Sequence, residues 1–142
     1  MSNTPNSDCP LCQQDGGTVL WRNDKLRIVL PAEPGYPGFC RVIWQAHHAE
    51  MTDLPAEDRQ YLMGVVFAVE QALREVAQPD KINLASLGNM VAHLHWHVIP
   101  RFRDDPHFPN AVWCQTVRDH THSHSIDVDQ LADAISRHLT SR

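Results

Sequence analysis

The chain has 142 residues, 42% of them apolar and 20% charged, which is ordinary for one soluble globular domain with a core of its own. Its formal net charge is −5 and its 12 Lys and Arg residues form no cluster, so broad electrostatic binding to nucleic acid is not expected and small molecules are the expected partners. No apolar run has the length of a membrane span, and residues 1–8 are polar rather than a signal peptide, so a cytoplasmic setting without membrane contact is expected.

Residues 1–8 lack periodicity and are expected to form a flexible N-terminus. Cys9 and Cys12 follow as Cys-x-x-Cys, which in a reducing compartment reads first as metal or redox chemistry. Gly16-Gly17 is a turn signal leading into a strand at 18–22, and Asn23-Asp24 turns the chain into a second strand at 26–30, rich in branched residues. Residues 31–38 hold three prolines and two glycines and read as an ordered loop before a third strand at 39–44.

The strongest helix signal spans residues 55–77. Asp53 is the expected cap, Pro55 fits the first turn, and Glu57 and Asp58 complement the positive helix end. Leu62, Val65, Val66, Val69, Leu73 and Val76 recur at three- and four-residue steps, an apolar stripe that reads as core packing. Pro79-Asp80 ends the helix. A fourth strand is expected at 81–85, a turn at Ser86-Leu87-Gly88-Asn89 with Gly88 granting backbone freedom or close ligand approach, and a fifth strand at 91–99.

Beyond Arg103, Asp104-Asp105-Pro106 breaks the strand, and residues 107–113 show no period. His120, His122 and His124 alternate among Ser and Thr and read as a solvated segment. Val128, Leu131, Ile135 and Leu139 fit a last helix, with Asp127 and Asp129 at its start and Arg137 and His138 at its end. Short links between strands imply hairpins, so the expected fold class is α+β, an antiparallel sheet with helices on one side.

The chemistry concentrates in His93-Leu94-His95-Trp96-His97-Val98-Ile99. In an extended chain His93, His95 and His97 share one face, and Leu94, Trp96 and Val98 share the other. Three imidazoles in register need a reason beyond solubility. At about 3.3 Å per residue the His93 and His97 backbones stand roughly 13 Å apart, so one metal ion could take an adjacent pair but hardly all three. Divided labour follows, with at least one imidazole free as nucleophile or acid/base. Near its unperturbed pKa of about 6.5, neutral imidazole is a competent nucleophile at neutral pH.

This run resembles the histidine-triad motif of the HIT family, His-φ-His-φ-His-φ-φ with φ apolar. Pro100-Arg101 after it, Asn83 before it, and Val42-Ile43-Trp44-Gln45-Ala46-His47, similar to the strand that ends in the family's Pro-Lys-x-His-like turn, extend the resemblance over residues 9–113. It implies a HIT-like fold of about five antiparallel strands with one long and one C-terminal helix, in a HIT domain at 9–113 followed by a C-terminal extension at 114–142.

The resemblance further implies a hydrolase acting at the α-phosphate of a purine nucleotide, on a phosphoramidate or a phosphoanhydride bond, through a nucleotidyl group carried by His95. His97 is then the phosphate-contacting partner in catalysis, and Asn83, Gly88, Asn89, His97 and Arg101 form the substrate-binding set. Some relatives hold structural zinc with residues corresponding to Cys9, Cys12, His47 and His93, with His48 as the alternative to His47. A homodimer is also implied, weakly supported by apolar surface on the long helix and at 39–44. Asn89 and Met90 stand where a branch of the family has Gln and Ser, and Glu33 is the carboxylate nearest the family's ribose-binding position. Two other readings are a nucleotide-binding module with negligible turnover and a metalloenzyme using His95 and His97 as ligands.

Overall fold

The computed structural model describes residues 6–119 and 124–140. Among these, five strands form one antiparallel sheet: β1 (Thr18–Arg22), β2 (Leu26–Leu30), β3 (Cys40–Trp44), β4 (Lys81–Ala85) and β5 (His95–Arg101). Their order is β1-β2-β3-β5-β4. The helices are α1 (Pro10–Gln13), α2 (Ala56–Val76) and α3 (Val128–Thr140), with a 3-10 turn at Met51–Asp53 before α2. The α+β architecture is the expected one.

Cross-strand partners share a face of an antiparallel sheet, so the register divides the molecule. Val42 opposes Trp96 and Cys40 opposes Val98. These residues join Leu26, Ile28 and Trp44 against Leu62, Val65, Val66, Val69 and Leu73 of α2 and Leu131, Ala134 and Ile135 of α3 in one continuous core. Helix periodicity is thus fully used for burial, and α3 is part of that core. On the opposite face Arg41 lies across from His97 and Ile43 from His95. Among the described residues no long helix covers that side; α1 and connecting loops do.

Several local expectations need correction. Strand pairing on β5 starts at His95, not at residue 91, because Leu94 is engaged crosswise: its N–H donates to the His48 carbonyl and its carbonyl accepts from Trp44 N–H. The link from β4 to β5 therefore runs over residues 86–94 rather than through a tight turn at 86–89. Asp53 does not cap α2, whose N-cap position is Pro55; its carboxylate instead accepts from the Ala49 and Glu50 amides and closes the 3-10 turn. Asp127 does cap α3, accepting from Gln130 N–H.

Apolar surface at 39–44 is consumed within the chain, since Phe39, Cys40, Val42, Ile43 and Trp44 are all buried. It therefore offers nothing to a twofold contact, and on α2 the exposed large apolar side chain is Phe67. His120 and His122 lie outside the described residues. His124 is stacked on Phe102 and bonded to Asp104 while its side chain stays 33% exposed. No helix among the described residues is long and apolar enough to cross a membrane.

Candidate active site

The face of the sheet turned away from the long helices carries a cavity of about 570 Å³. His95 and His97 of β5 and Arg41 of β3 form its floor, and Leu87, Gly88, Asn89, Met90 and Val91 of the 86–94 loop form one wall. Pro10, Leu11 and Gln14 of the α1 segment and Trp113 also line it. The loop wall depends on Gly88, whose φ of +73° is open to glycine at little cost. A Cβ there would meet nothing nearer than the Val91 carbonyl at 3.6 Å, so backbone conformation, not crowding within the chain, calls for glycine.

His95 has a defined tautomer. Its Nδ1 lies 2.6 Å from the His93 carbonyl oxygen, which can only accept, so Nδ1 carries the proton and Nε2 keeps a lone pair. Burial, with a further contribution from the Arg41 charge, holds its pKa below the usual imidazole range. The ring is therefore neutral at neutral pH. His97 packs edge-on to His95 at 5.0 Å, to Phe39 at 5.6 Å and to Trp113 at 5.1 Å. Burial first, then the neighbouring His95 and Arg41, push its pKa down to about 4. Its Nδ1 is buried without a hydrogen-bond partner among the described residues.

His93 is placed for a different task. Its Nε2 donates to the Trp44 carbonyl at 2.6 Å, which turns the Nδ1 lone pair toward Cys9 Sγ at 3.3 Å, Cys12 Sγ at 3.5 Å and His47 Nδ1 at 3.3 Å. Cys12 Sγ also lies 3.2 Å from His47 Nδ1. The four ligand atoms fall within 4.8 Å of one another. Tetrahedral zinc with its usual bond lengths spaces nitrogen pairs by about 3.3 Å and nitrogen–sulfur pairs by about 3.6 Å, so this donor set fits the ion. The backbone acceptor behind His93 is the kind of outer support that metal-bound imidazoles use. His48 is outside the cluster, with its Nδ1 buried and without a hydrogen-bond partner among the described residues, and His95 and His97 do not belong to it either.

Arg27 fixes the α1 segment over the sheet. Its guanidinium donates to the carbonyls of Leu11, Gln14 and Asp15 at 2.7, 3.0 and 2.9 Å, satisfying groups that a four-residue helix leaves open. Cys9 and Leu11 then pack with Val29 and Ile43. The same short segment thus brings two thiols to His93 and forms a cavity wall.

Of the other expected site residues, Gly88 and Asn89 line the cavity, whereas Asn83 and Arg101 are tied up beside it. Arg101 donates to Asp105 at 2.8 and 3.0 Å, to Asn83 Oδ1 at 2.8 Å and to the Asn110 carbonyl at 2.8 Å, and it is buried. Two cavity residues, Arg41 and Trp113, are not singled out by the sequence pattern. Arg41 is detectable as the lone charge inside an apolar strand. Trp113 lies in an aperiodic loop and carries no such signal.

The HIT domain family model matches residues 13–104 of this chain. Adenylylsulfatase HINT3 of Arabidopsis thaliana is 25% identical over 150 aligned residues, covering 99% of this chain and 74% of that protein. AP-4-A phosphorylase of Mycobacterium tuberculosis is 26% identical over 114 residues, 76% of this chain and 58% of its own length. Among solved structures, a histidine triad protein from Bradyrhizobium japonicum superimposes with a TM-score of 0.69 at 27% identity, over 87% of this chain and 90% of that one.

Proposed function

The chain belongs to the HIT-domain family, and from that premise we propose that it is a nucleotide-binding hydrolase that cleaves at the α-phosphate through a covalent intermediate on His95. Relatives named for nucleotide-processing reactions support the general class. The observation that carries the specific reading is the His95 tautomer: Nδ1–H is held by the His93 carbonyl, and a neutral Nε2 is left to the cavity.

In the first step Nε2 of His95 forms a bond to phosphorus while the bond to the leaving group breaks, its electron pair departing with that group. The imidazole becomes cationic, and the His93 carbonyl stabilises the Nδ1–H dipole that faces it. Water then attacks the same phosphorus and gives up a proton to solvent, and the N–P bond pair returns to Nε2, restoring neutral His95. His97, the Asn89 side chain and the amides of the 86–94 loop supply hydrogen bonds to the non-bridging oxygens, where charge gathers. Asn83 and Arg101 act one step back, as positioning residues for the end of β5.

Cys9, Cys12, His47 and His93 are proposed as ligands of a structural zinc that joins the α1 segment to the strand carrying the nucleophile. When bound, the ion supplies cross-linking rather than Lewis acidity at phosphorus. We also propose a homodimer, with Phe67 as a candidate contact; a monomer mass by light scattering at micromolar concentration would refute it.

Replacing His95 with Asn tests the hydrolase reading against a panel of nucleoside phosphoramidates, dinucleoside polyphosphates and nucleotide mixed anhydrides. Nucleotide binding and the melting curve should stay near those of the native protein, while turnover falls by several orders of magnitude. Substantial turnover by His95→Asn on the panel's best substrate would remove the proposed nucleophile.

A further inference from the structure

Four arginines rise from the site face of the sheet, and three are engaged by the protein; Arg22 pairs with Asp15 at 3.0 Å. Arg27 is spent on the α1 segment and Arg101 on Asp105, Asn83 and Asn110. Arg41 differs. It borders the cavity directly across β3–β5 from His97, its side chain is 27% exposed, and the carboxylate facing it among the described residues, Glu33, stands as far as 4.0 Å from Nη2 and is itself 44% exposed. Its buried Nε has no hydrogen-bond partner among the described residues.

A guanidinium cannot shed its charge in a protein, and a half-desolvated cation lacking a close acceptor is costly to maintain. The two buried imidazoles beside it offer no counter-charge, since its own positive charge helps to keep both of them neutral. The arrangement becomes favourable when an anion with at least two acceptor oxygens enters the cavity, since the planar fork matches such a group bidentately.

We propose that Arg41 recognises a second acidic group attached to the α-phosphate, so that the substrates are nucleotides in anhydride linkage to an oxyanion, preferred over phosphoramidates. This rests on the hydrolase reading above for its chemistry, but not for its binding. When His95 displaces the leaving group, the P–O bond pair moves onto the departing oxygen, and Arg41 offsets the negative charge that develops there. An amine must instead leave with a proton, and a fixed cation nearby disfavours an ammonium product. Arg41 thus selects by attraction for one class and repulsion of the other.

Equilibrium binding of AMP and ADP to the His95→Asn protein, alone and combined with Arg41→Gln or Arg41→Lys, tests this. ADP should bind about tenfold or more tightly than AMP. Adding Arg41→Gln should weaken ADP by about 10- to 100-fold, the range for one charge-assisted contact, and AMP by less than about threefold, while Arg41→Lys recovers part of the difference. Equal affinities for AMP and ADP, or equal losses for both in Arg41→Gln, would overturn the assignment. Should the Arg41-dependent increment appear while native protein hydrolyses nothing in the substrate panel, Arg41 keeps its role and the hydrolase reading alone falls.

Discussion

His93, His95 and His97 are the same side chain in three environments, and one backbone carbonyl apiece separates the first two. Trp44 O faces Nε2 of His93, leaving Nδ1 for the thiols; His93 O faces Nδ1 of His95, leaving Nε2 for the cavity. Strand alternation makes the shared face legible from sequence. It says nothing of which nitrogen each ring presents, because the acceptors come from a neighbouring strand and from the irregular start of β5. His97 has no such acceptor, and burial holds its pKa at about 4. In the unfolded chain it titrates near 6.5, so between these values the unfolded state binds more protons. Stability is therefore fully present above about pH 6.5 and is lost as pH falls toward 4, by on the order of 3 kcal/mol for this residue. Denaturant titrations of native and His97→Asn protein across that range should show a shallower decline in the variant, which keeps all four proposed zinc ligands. Parallel curves would show that His97 is not buried neutral.

Asp105 organises the loop of residues 102–118 that brings Trp113 to the cavity edge. Burial works against its charge, but hydrogen bonds from Arg101 and from the His107 and Phe108 amides keep its pKa below the usual range. The Phe102 amide adds a further donor. In sequence Asp104-Asp105-Pro106 reads as a strand breaker, and it is one; that the second aspartate is buried against Arg101 is invisible there, because the pairing depends on the loop folding back on the strand it has left. Elements with strong local periods behave differently. Residues 18–22, 26–30 and 81–85 become strands over those bounds, and α2 differs by a residue at each end. Asp105→Asn should destabilise the fold by about 3 to 5 kcal/mol, since it leaves the buried Arg101 guanidinium without its counter-charge. Adding Arg101→Met should recover part of that loss. A cost below about 1 kcal/mol in chemical unfolding of the single variant would contradict the proposed role of this pair.

Across the whole molecule, one sheet separates two faces, with the core on the α2–α3 side and the cavity and the histidine–cysteine cluster on the other. The cavity wall formed by Pro10, Leu11 and Gln14 is held by Arg27 and by the Cys9, Cys12, His47 and His93 cluster. Cys-x-x-Cys is legible as a metal or redox motif, but its meeting with residues 35 to 84 positions away in sequence depends on the complete fold. The isolated protein should contain about one zinc per chain by elemental analysis. Cys9→Ser should remove it, lower the melting temperature and raise KM more than it lowers kcat, because the wall loosens while His95 stays in place. Native protein that is metal-free, fully stable and active would eliminate the zinc site. Mass spectrometry of protein quenched within milliseconds of mixing with a nucleotide substrate, under conditions that preserve N–P bonds, tests His95 as the nucleophile. The predicted result is one nucleotidyl group per active chain, mapped to His95 and absent from His95→Asn; rapid turnover with His95 unmodified at every time point, and undiminished in that variant, would contradict it.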